Sequence, residues 1–395
     1  MGVKMESKID EVYMKRALEL ALRGRGRVSP NPLVGAVIVK DGEIVGEGYH
    51  QEYGGLHAER NAIASSKVNL EGATMYVSLE PCCHYGKTPP CTEKIIESGI
   101  KKVVVGSRDP NPKVYGKGCK ILRENGIDVV EDFMREECDS INKVFFKYIK
   151  NKEPYILMKY AMTLDGKIAT YSGKSKWITG EKSRARVHLD RHIYSAIMVG
   201  VNTIIADDPM LNSRLEEIKN LILESDFEKY GIVKNGDFYE TKKVTRIICD
   251  TNLRTPLDSK VVETAKEYKT IIATASKNFL KIKKYLDKGC QVIVQENTNK
   301  IKLKELIKTL GEMNIDSIII EGGASLNWSA FEEGIVDGLQ SYIAGKIFGG
   351  ENAKSPISGL GVESPNKAFN LNLKSISQYD GDILIESEVI PCLQE

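Results

Sequence analysis

At 395 residues the chain exceeds one ordinary hydrophobic core, so two domains are expected. Its 42% hydrophobic and 28% charged residues are those of a globular protein, and a formal net charge of +2 excludes the basic bias of a general nucleic-acid binder. No apolar run reaches transmembrane length, no signal peptide is expected, and eight cysteines, three of them clustered, fit metal ligands and free thiols in a reducing compartment. The expected setting is cytoplasmic, with no membrane or nucleic-acid partner.

Asp10 is expected to cap a helix running to about Leu22, with Met14, Ala17, Leu18 and Ala21 on one face. Arg23-Gly24-Arg25-Gly26-Arg27 then reads as a helix end with cations and a glycine stop. In Ser29-Pro30-Asn31-Pro32 the prolines hold Asn31 in a stiff turn, where its amide can both donate to and accept from a base edge. Asp41-Gly42 makes a hairpin turn into a second strand over 43–50, and a helix begins near His57. Strands over 73–79, 102–106 and 127–130 and helices over 91–98 and 117–124 follow. Such alternation predicts an α/β layered sheet.

Two short stretches carry the chemistry of this half. The first is His57-Ala58-Glu59, and the second runs Pro81-Cys82-Cys83-His84-Tyr85-Gly86-Lys87-Thr88-Pro89-Pro90-Cys91. A catalytic zinc takes three protein ligands and keeps one position open for water. His57, Cys82 and Cys91 supply the three, and Glu59 is the proton carrier between the attacking water and the leaving nitrogen. Histidine-x-glutamate followed by proline-cysteine-x-x-cysteine is the zinc-deaminase signature, but here the second cysteine lies nine residues after the first. Cys83 competes with Cys82 for the metal, although neighbouring side chains point apart. A structural zinc knuckle would need Cys83 or His84 as a fourth ligand and leaves Glu59 without a role.

The longer spacing, with Thr88-Pro89-Pro90-Cys91, resembles the deaminase half of the bifunctional deaminase/reductase family of riboflavin biosynthesis. The resemblance implies a cytidine-deaminase-like three-layer domain and makes Asn31 a substrate contact. His84 and Lys87, in the loop over the metal, read equally as phosphate contacts or as solvated loop residues.

A polar, basic linker is expected over 147–154, dividing a domain over 1–150 from one over 151–395. A strand begins at Tyr155 and runs into Lys159-Tyr160-Ala161-Met162-Thr163-Leu164-Asp165-Gly166-Lys167. Ser175-Lys176-Trp177, His188-Leu189-Asp190-Arg191, Val199-Gly200-Val201-Asn202-Thr203 and Asp207-Asp208-Pro209-Met210-Leu211-Asn212-Ser213-Arg214 follow in turn. Ile318-Ile319-Ile320-Glu321-Gly322-Gly323-Ala324 is a buried strand breaking into glycines and a helix start, a place where backbone amides can meet a phosphate. Residues 215–243 look like a polar, helix-prone insertion.

This series resembles the reductase half of the same family, whose dihydrofolate-reductase-like α/β fold binds NADPH without a Rossmann fingerprint; none is present here. By that resemblance Ala161, Trp177, Thr203, Asp207 and Thr251 fall at cofactor positions, with Gly323, Ala324, Ser325, Leu326, Asn327, Trp328 and Ser329. Lys159, Ser175, Arg191, Leu211, Arg214 and Glu321 fall at substrate positions, the two arginines suiting a ribose phosphate. The implied enzyme uses Zn2+ and NADPH on small phosphorylated pyrimidines. It deaminates a diaminopyrimidinone ribosylamine phosphate and then reduces its ribosyl group, and a homo-oligomer is compatible with this. The rival is a nucleoside- or RNA-directed zinc deaminase fused to an unrelated nucleotide-binding domain. Near-neutral charge and the reductase motifs stand against it.

Overall fold

A computed structural model of the chain describes residues 2–86, 88–112, 114–235 and 238–390. It divides into two compact units, Met1–Lys152 with Glu224–Glu240, and Glu153–Leu223 with Thr241–Glu395.

The first unit runs α1 (Gly2–Leu22), β1 (Gly35–Lys40), β2 (Glu43–Tyr49), α2 (Ala58–Ser65), β3 (Thr74–Leu79), α3 (Cys91–Glu97), β4 (Lys102–Ser107), α4 (Lys117–Glu124), β5 (Asp128–Val130), α5 (Arg135–Ile141) and α6 (Lys143–Asn151). Its sheet has the order β2-β1-β3-β4-β5, parallel from β3 to β5 and antiparallel on the β1 side. Strand alternation sends apolar side chains to both faces. Ala36, Ile38, Met75, Val77, Val103 and Val105 pack with Ala58, Ile95 and Leu122 from α2, α3 and α4. Val37, Val39, Tyr76 and Val104 pack on the other face with Met14, Ala17 and Leu20 of α1. The result is the three-layer α/β/α domain expected.

Helix α2 sits unusually close to the sheet. A Cβ on Gly48 would lie 2.3 Å from the Ala62 nitrogen and 2.6 Å from the Ala58 carbonyl oxygen. This glycine–alanine seat fixes where the start of α2, and so His57 and Glu59, must fall.

Two local expectations fail. Asp10 lies inside α1 because the helix begins at Gly2, where Lys4, Met5, Glu6 and Lys8 are all good helix formers. Its carboxylate instead accepts the Tyr76 hydroxyl and lies 3.7 Å from the Lys102 ammonium. Residues 147–151 of the supposed linker are the last part of α6, whose Phe145 and Tyr148 are buried at helical spacing. Lys147 and Lys150 on either side of Tyr148 gave this part a polar composition without making it a loop.

The second unit contains β6 (Tyr155–Thr163), α7 (Glu181–Ile193), β7 (Ala196–Gly200), α8 (Val201–Asp207) and α9 (Leu215–Ile218). The chain then supplies α10 (Glu224–Lys229) and the short ribbon of β8 (Lys234–Asn235) and β9 (Phe238–Tyr239), which belong to the first unit. The second unit resumes with β10 (Thr245–Cys249), α11 (Lys260–Glu263), β11 (Thr270–Thr274), α12 (Phe279–Asp287), β12 (Gln291–Val294), α13 (Leu303–Glu312), β13 (Ser317–Ile320), α14 (Ala324–Glu332), β14 (Gly338–Ala344), β15 (Leu371–Tyr379) and β16 (Asp382–Val389). Nine strands form one sheet in the order β12-β11-β10-β7-β13-β6-β14-β16-β15. It is parallel from β12 to β14 and closes with two antiparallel strands. Cores lie on both faces, one with Met198, Ile247 and Ile318 and the other with Val199, Ile248 and Ile272. This is the expected dihydrofolate-reductase-like α/β arrangement, covered by helices as a parallel sheet requires.

Candidate active sites

His57 is the residue before α2, Glu59 lies in that helix's first turn, and Cys91 opens α3 behind Pro90. Cys82 follows β3, and its carbonyl accepts from the Cys91 and Thr92 amides at 3.1 and 3.2 Å. Arg60 clamps the intervening loop by donating to the carbonyls of Pro89 (3.2 Å) and Pro90 (2.8 Å). The buried Glu80 carboxylate accepts from the amides of Gly116 and Gly118, both at 3.0 Å, and ties α4 to the Pro81-Cys82 turn.

These elements bring the ligands together. His57 Nδ1 lies 3.4 Å from both Cys82 Sγ and Cys91 Sγ. A tetrahedral zinc with its usual bond lengths needs nitrogen and sulfur roughly 3.6 Å apart, so the donor set fits. Charge agrees. Cys91 and then His57 pull the Cys82 thiol down to about 4, whereas the Cys91 thiol is held well above its usual range by the Cys82 sulfur and by burial. Without a cation between them only one of the two sulfurs ionises, and a bound cation would let both do so. Thr88 Oγ1, 3.4 Å from His57 Nε2, orients the ring from its far side. Among the described residues no fourth His, Cys, Asp or Glu joins the cluster, which leaves a coordination position open. Neither Cys83 nor His84 completes a structural knuckle.

Glu59 is 3% exposed, and burial followed by the Cys82 charge pushes its carboxyl up to about 7. That value suits a group that both takes and gives a proton near neutral pH. The cluster opens on a cavity of about 310 Å³, which Glu59, His84 and Asn31 help to line. Lys87 lies outside the described residues.

Asn31 has a defined orientation. His50 Nδ1 is 3.0 Å from the Leu56 carbonyl, which only accepts, so this nitrogen carries the proton. Burial lowers the His50 pKa and keeps the ring neutral, making Nε2 an acceptor for the Asn31 amide 3.1 Å away. This contact commits the Asn31 amide nitrogen to His50, and Asn31 lines the cavity. Asp109 and Asn111 also line the cavity, with the aromatic rings of Phe145 and Tyr148 from α6. Burial pushes the Asp109 carboxyl up to about 6. Sequence reading missed His50, Thr88, Asp109 and Asn111. One signal was present, since Asp109-Pro110-Asn111-Pro112 repeats the proline-held asparagine of Pro30-Asn31-Pro32.

Of the expected residues in the second unit, Thr203 follows β7, Thr251 follows β10, and Glu321 and Gly323 follow β13, whereas Lys159 and Ala161 lie on β6 and Arg191 on α7. Gly322 and Gly323 adopt φ of +124° and +71°, a region that suits glycine. The Thr203 hydroxyl lies 3.9 Å from where a Gly323 Cβ would stand, so α8 and the glycine turn before α14 meet. Gly200 N donates to the Gly322 carbonyl at 3.1 Å, joining the two turns. Paired glycines before the nine-residue α14 fit a dinucleotide phosphate. Asp207 accepts from Ser175 at 3.3 Å. Thr251 follows β10, which pairs with β7, and its carbonyl accepts from Ala275 at 3.2 Å. Ala161 is half-buried on β6.

Arg191 and Glu321 meet each other. The guanidinium holds the carboxylate through Nε at 2.7 Å and Nη2 at 2.6 Å, and Nη1 donates to the Asn212 carbonyl at 3.0 Å. Burial alone would raise Glu321; Arg191 more than offsets it and keeps the carboxyl below its ordinary value. Burial lowers the Lys159 pKa, and its ammonium lies 5.4 Å from the Tyr342 ring centre. Arg214 is exposed, bound to Glu217 at 2.9 Å and beside the His188 ring. Trp177 is 66% exposed at φ +67°, with the Arg184 guanidinium 4.2 Å from its ring centre, and so is not core. Leu211, Leu326, Asn327 and Ser329 are buried, Trp328 packs against Gly359, and Ser325 is exposed.

Fold and sites together define a class of two-unit enzyme, a zinc deaminase joined to a dihydrofolate-reductase-like reductase. The family model for the cytidine and deoxycytidylate deaminase zinc-binding region matches residues 7–107, and that for the RibD C-terminal domain matches residues 154–385. The riboflavin biosynthesis protein RibD of Actinobacillus pleuropneumoniae is 54% identical over 96% of this chain and 95% of its own length. That of Escherichia coli is 37% identical over 95% of this chain and 98% of its own. A Thermotoga maritima crystal structure, a diaminohydroxyphosphoribosylaminopyrimidine deaminase/5-amino-6-(5-phosphoribosylamino)uracil reductase, superposes with a TM-score of 0.81 at 37% identity, covering 98% of this chain and all of its own. The chain belongs to the RibD family of bifunctional riboflavin-biosynthesis enzymes, which use zinc for deamination and NADPH for reduction.

Proposed function

We propose that the first unit removes the 2-amino group of a diaminopyrimidinone ribosylamine 5′-phosphate as ammonia, and that the second reduces the ribosyl group of that product to ribityl. The observation that carries the first step is Glu59, a buried carboxyl held up to about 7, beside a three-ligand cluster with one side open to the cavity. Zinc held by His57, Cys82 and Cys91 would polarise the attacking water. Glu59 would accept the proton from that water and pass it to the departing amino nitrogen. Asn31, oriented by His50, would read the base edge, and Asp109 and Asn111 would hold the ring from across the cavity. The aromatic rings of α6 would exclude water.

In the second unit NADPH would supply the hydride to C1′ of the opened sugar. The Gly322–Gly323 turn, Thr203, Asp207 and Thr251 support a cofactor site. Lys159, lowered by burial, would hold or yield a proton at Nζ, while Arg191 keeps Glu321 ionised and in place. Arg214, with its guanidinium at the surface, is the better of the two arginines for the phosphate. Deamination within residues 1–150 and reduction within 151–395 belong to the same proposal, except that Glu224–Glu240 sits with the first unit.

The chain works in the cytoplasm in this reading. No described helix is long and apolar enough to cross a membrane. A homo-oligomer would use the edge strand β15, which exposes Leu371, Leu373 and Ile376. Diaminopyrimidinone ribosylamine phosphate and NADPH should yield ammonia first and loss of nicotinamide absorbance second. Oxidation of NADPH without prior ammonia release would refute the order. A chelator should stop ammonia release yet leave reduction of separately supplied deaminated substrate intact.

A further inference from the structure

We propose that Glu224–Glu240 is a strap that sets the deaminase pocket by holding the Arg23–Asn31 turn from outside, an inference that rests on the deaminase reading above. No residue matched to NADPH or to the reduced substrate lies in this segment, so reduction gives it no role. It has a built structure of its own. Phe227 stacks on Tyr239 with ring centres 4.3 Å apart, and Phe227, Tyr230 and Ile232 are buried.

The strap grips one turn at four points. Arg23 pairs with Glu228 at 3.0 Å, Arg25 Nη1 donates to the Lys229 carbonyl at 3.3 Å, and the Arg25 guanidinium lies 5.7 Å from the Tyr230 ring centre. At Gly231, with φ +64°, backbone meets backbone. A Cβ there would lie 2.2 Å from the Arg25 carbonyl oxygen and 2.9 Å from that of Arg23. Three arginines in five residues repel one another, and the strap supplies the carboxylate and carbonyl that hold two of them in register.

The other side of the same turn bears on the cavity. A Cβ on Gly24 would lie 2.6 Å from the His50 carbonyl oxygen, so the turn and the end of β2 are in close contact. The Arg27 carbonyl accepts the Tyr53 amide at 3.1 Å, and the Val28 carbonyl accepts the Asn31 amide at 2.8 Å. Asn31, His50 and Tyr53 all line the cavity. His57 also stands edge-on to His50, with ring centres 5.4 Å apart, and shares the cavity lining with Cys82. Gly231, Glu228 and Arg23 are therefore positioning residues for base recognition, acting through the turn that ends at Asn31.

The test uses the full chain. Gly231→Val should raise KM for deamination roughly tenfold, in line with a displaced contact remote from the chemistry. Zinc content and NADPH-dependent reduction of supplied deaminated substrate should be unchanged. Glu228→Arg and Arg23→Glu should each raise KM about threefold, the scale of a half-exposed ion pair. The double charge swap should restore it. A strap that merely stabilised the fold would lower the melting temperature with KM unmoved, and that result overturns the proposal. So does failure of the swap to restore KM. If Gly231→Val does not fold, the charge-swap series decides by itself. Ammonia release by the unaltered chain keeps failure of the strap distinct from failure of the deaminase reading.

Discussion

The two sites of this chain are assembled by opposite means. In the first unit the proposed metal ligands come from two short stretches, with His57 and Cys91 at helix starts and Cys82 just after β3, and their ligand atoms converge. In the second unit Lys159, Arg191, Thr203, Thr251 and Glu321 come from strand ends and helices spread over 163 positions (159 to 321 inclusive), and two of them neutralise each other. A metal site tolerates this local construction because the ion supplies the attraction. A site for a neutral sugar carbon and a dinucleotide must instead be held by the sheet itself. Loss of one residue should therefore abolish chemistry in the first unit and disturb both chemistry and fold in the second.

The sharpest break of that contrast is Glu59→Gln. It keeps shape and hydrogen bonding but cannot carry a proton, so ammonia release should fall ~10²–10⁴-fold with zinc retained. Reduction of supplied deaminated substrate should proceed as before. Near-normal deamination would remove Glu59 from its role. Next in size is metal content. Cys91→Ser should deplete zinc, while Cys83→Ser, outside the ligand cluster, should retain one ion per chain as measured by elemental analysis.

Arg191→Leu tests the other site. It leaves Glu321 buried without its partner, so stability should drop by roughly 3–5 kcal/mol along with reduction. Glu321→Leu added to it should recover much of the stability, by calorimetry, but none of the reduction. If Arg191→Leu instead raised only KM, the arginine would be a phosphate grip and not the holder of Glu321.

The smallest effect concerns Asp109, whose folded pKa of about 6 lies above its unfolded value of 3.8. Folding disfavours its charged form, so the destabilisation is absent below about pH 4 and complete above about pH 6. Asp109→Asn should thus add up to ~3 kcal/mol at pH 7.5 and nothing at pH 4, while weakening deamination. Equal gains at both values would show that packing, and not charge, sets the effect.

The grouping of His57, Cys82 and Cys91 was legible in the sequence because its geometry is local. A histidine before a helix and a glutamate in its first turn can lie side by side only one way, and a cysteine at another helix start behind two prolines has little freedom. Alternating strands and helices likewise specified layered α/β units, because period-two strands with apolar residues on both faces must be covered twice. Tertiary contact alone decided the rest. His50 turns Asn31 towards the cavity, but nothing in a strand-end histidine announces which amide it will meet. The Arg191–Glu321 pair joins residues 130 positions apart, and each reads in isolation as a surface charge. The polar run after Lys147 has a linker's composition, yet α6 buries the aromatic side of that helix against the first unit's cavity. The segment around Gly231 returns to the first unit because a bare backbone can lie against the Arg23–Arg25 turn. Long-range pairing depends on the shape both partners acquire only after folding, and that shape is absent from any short window of sequence.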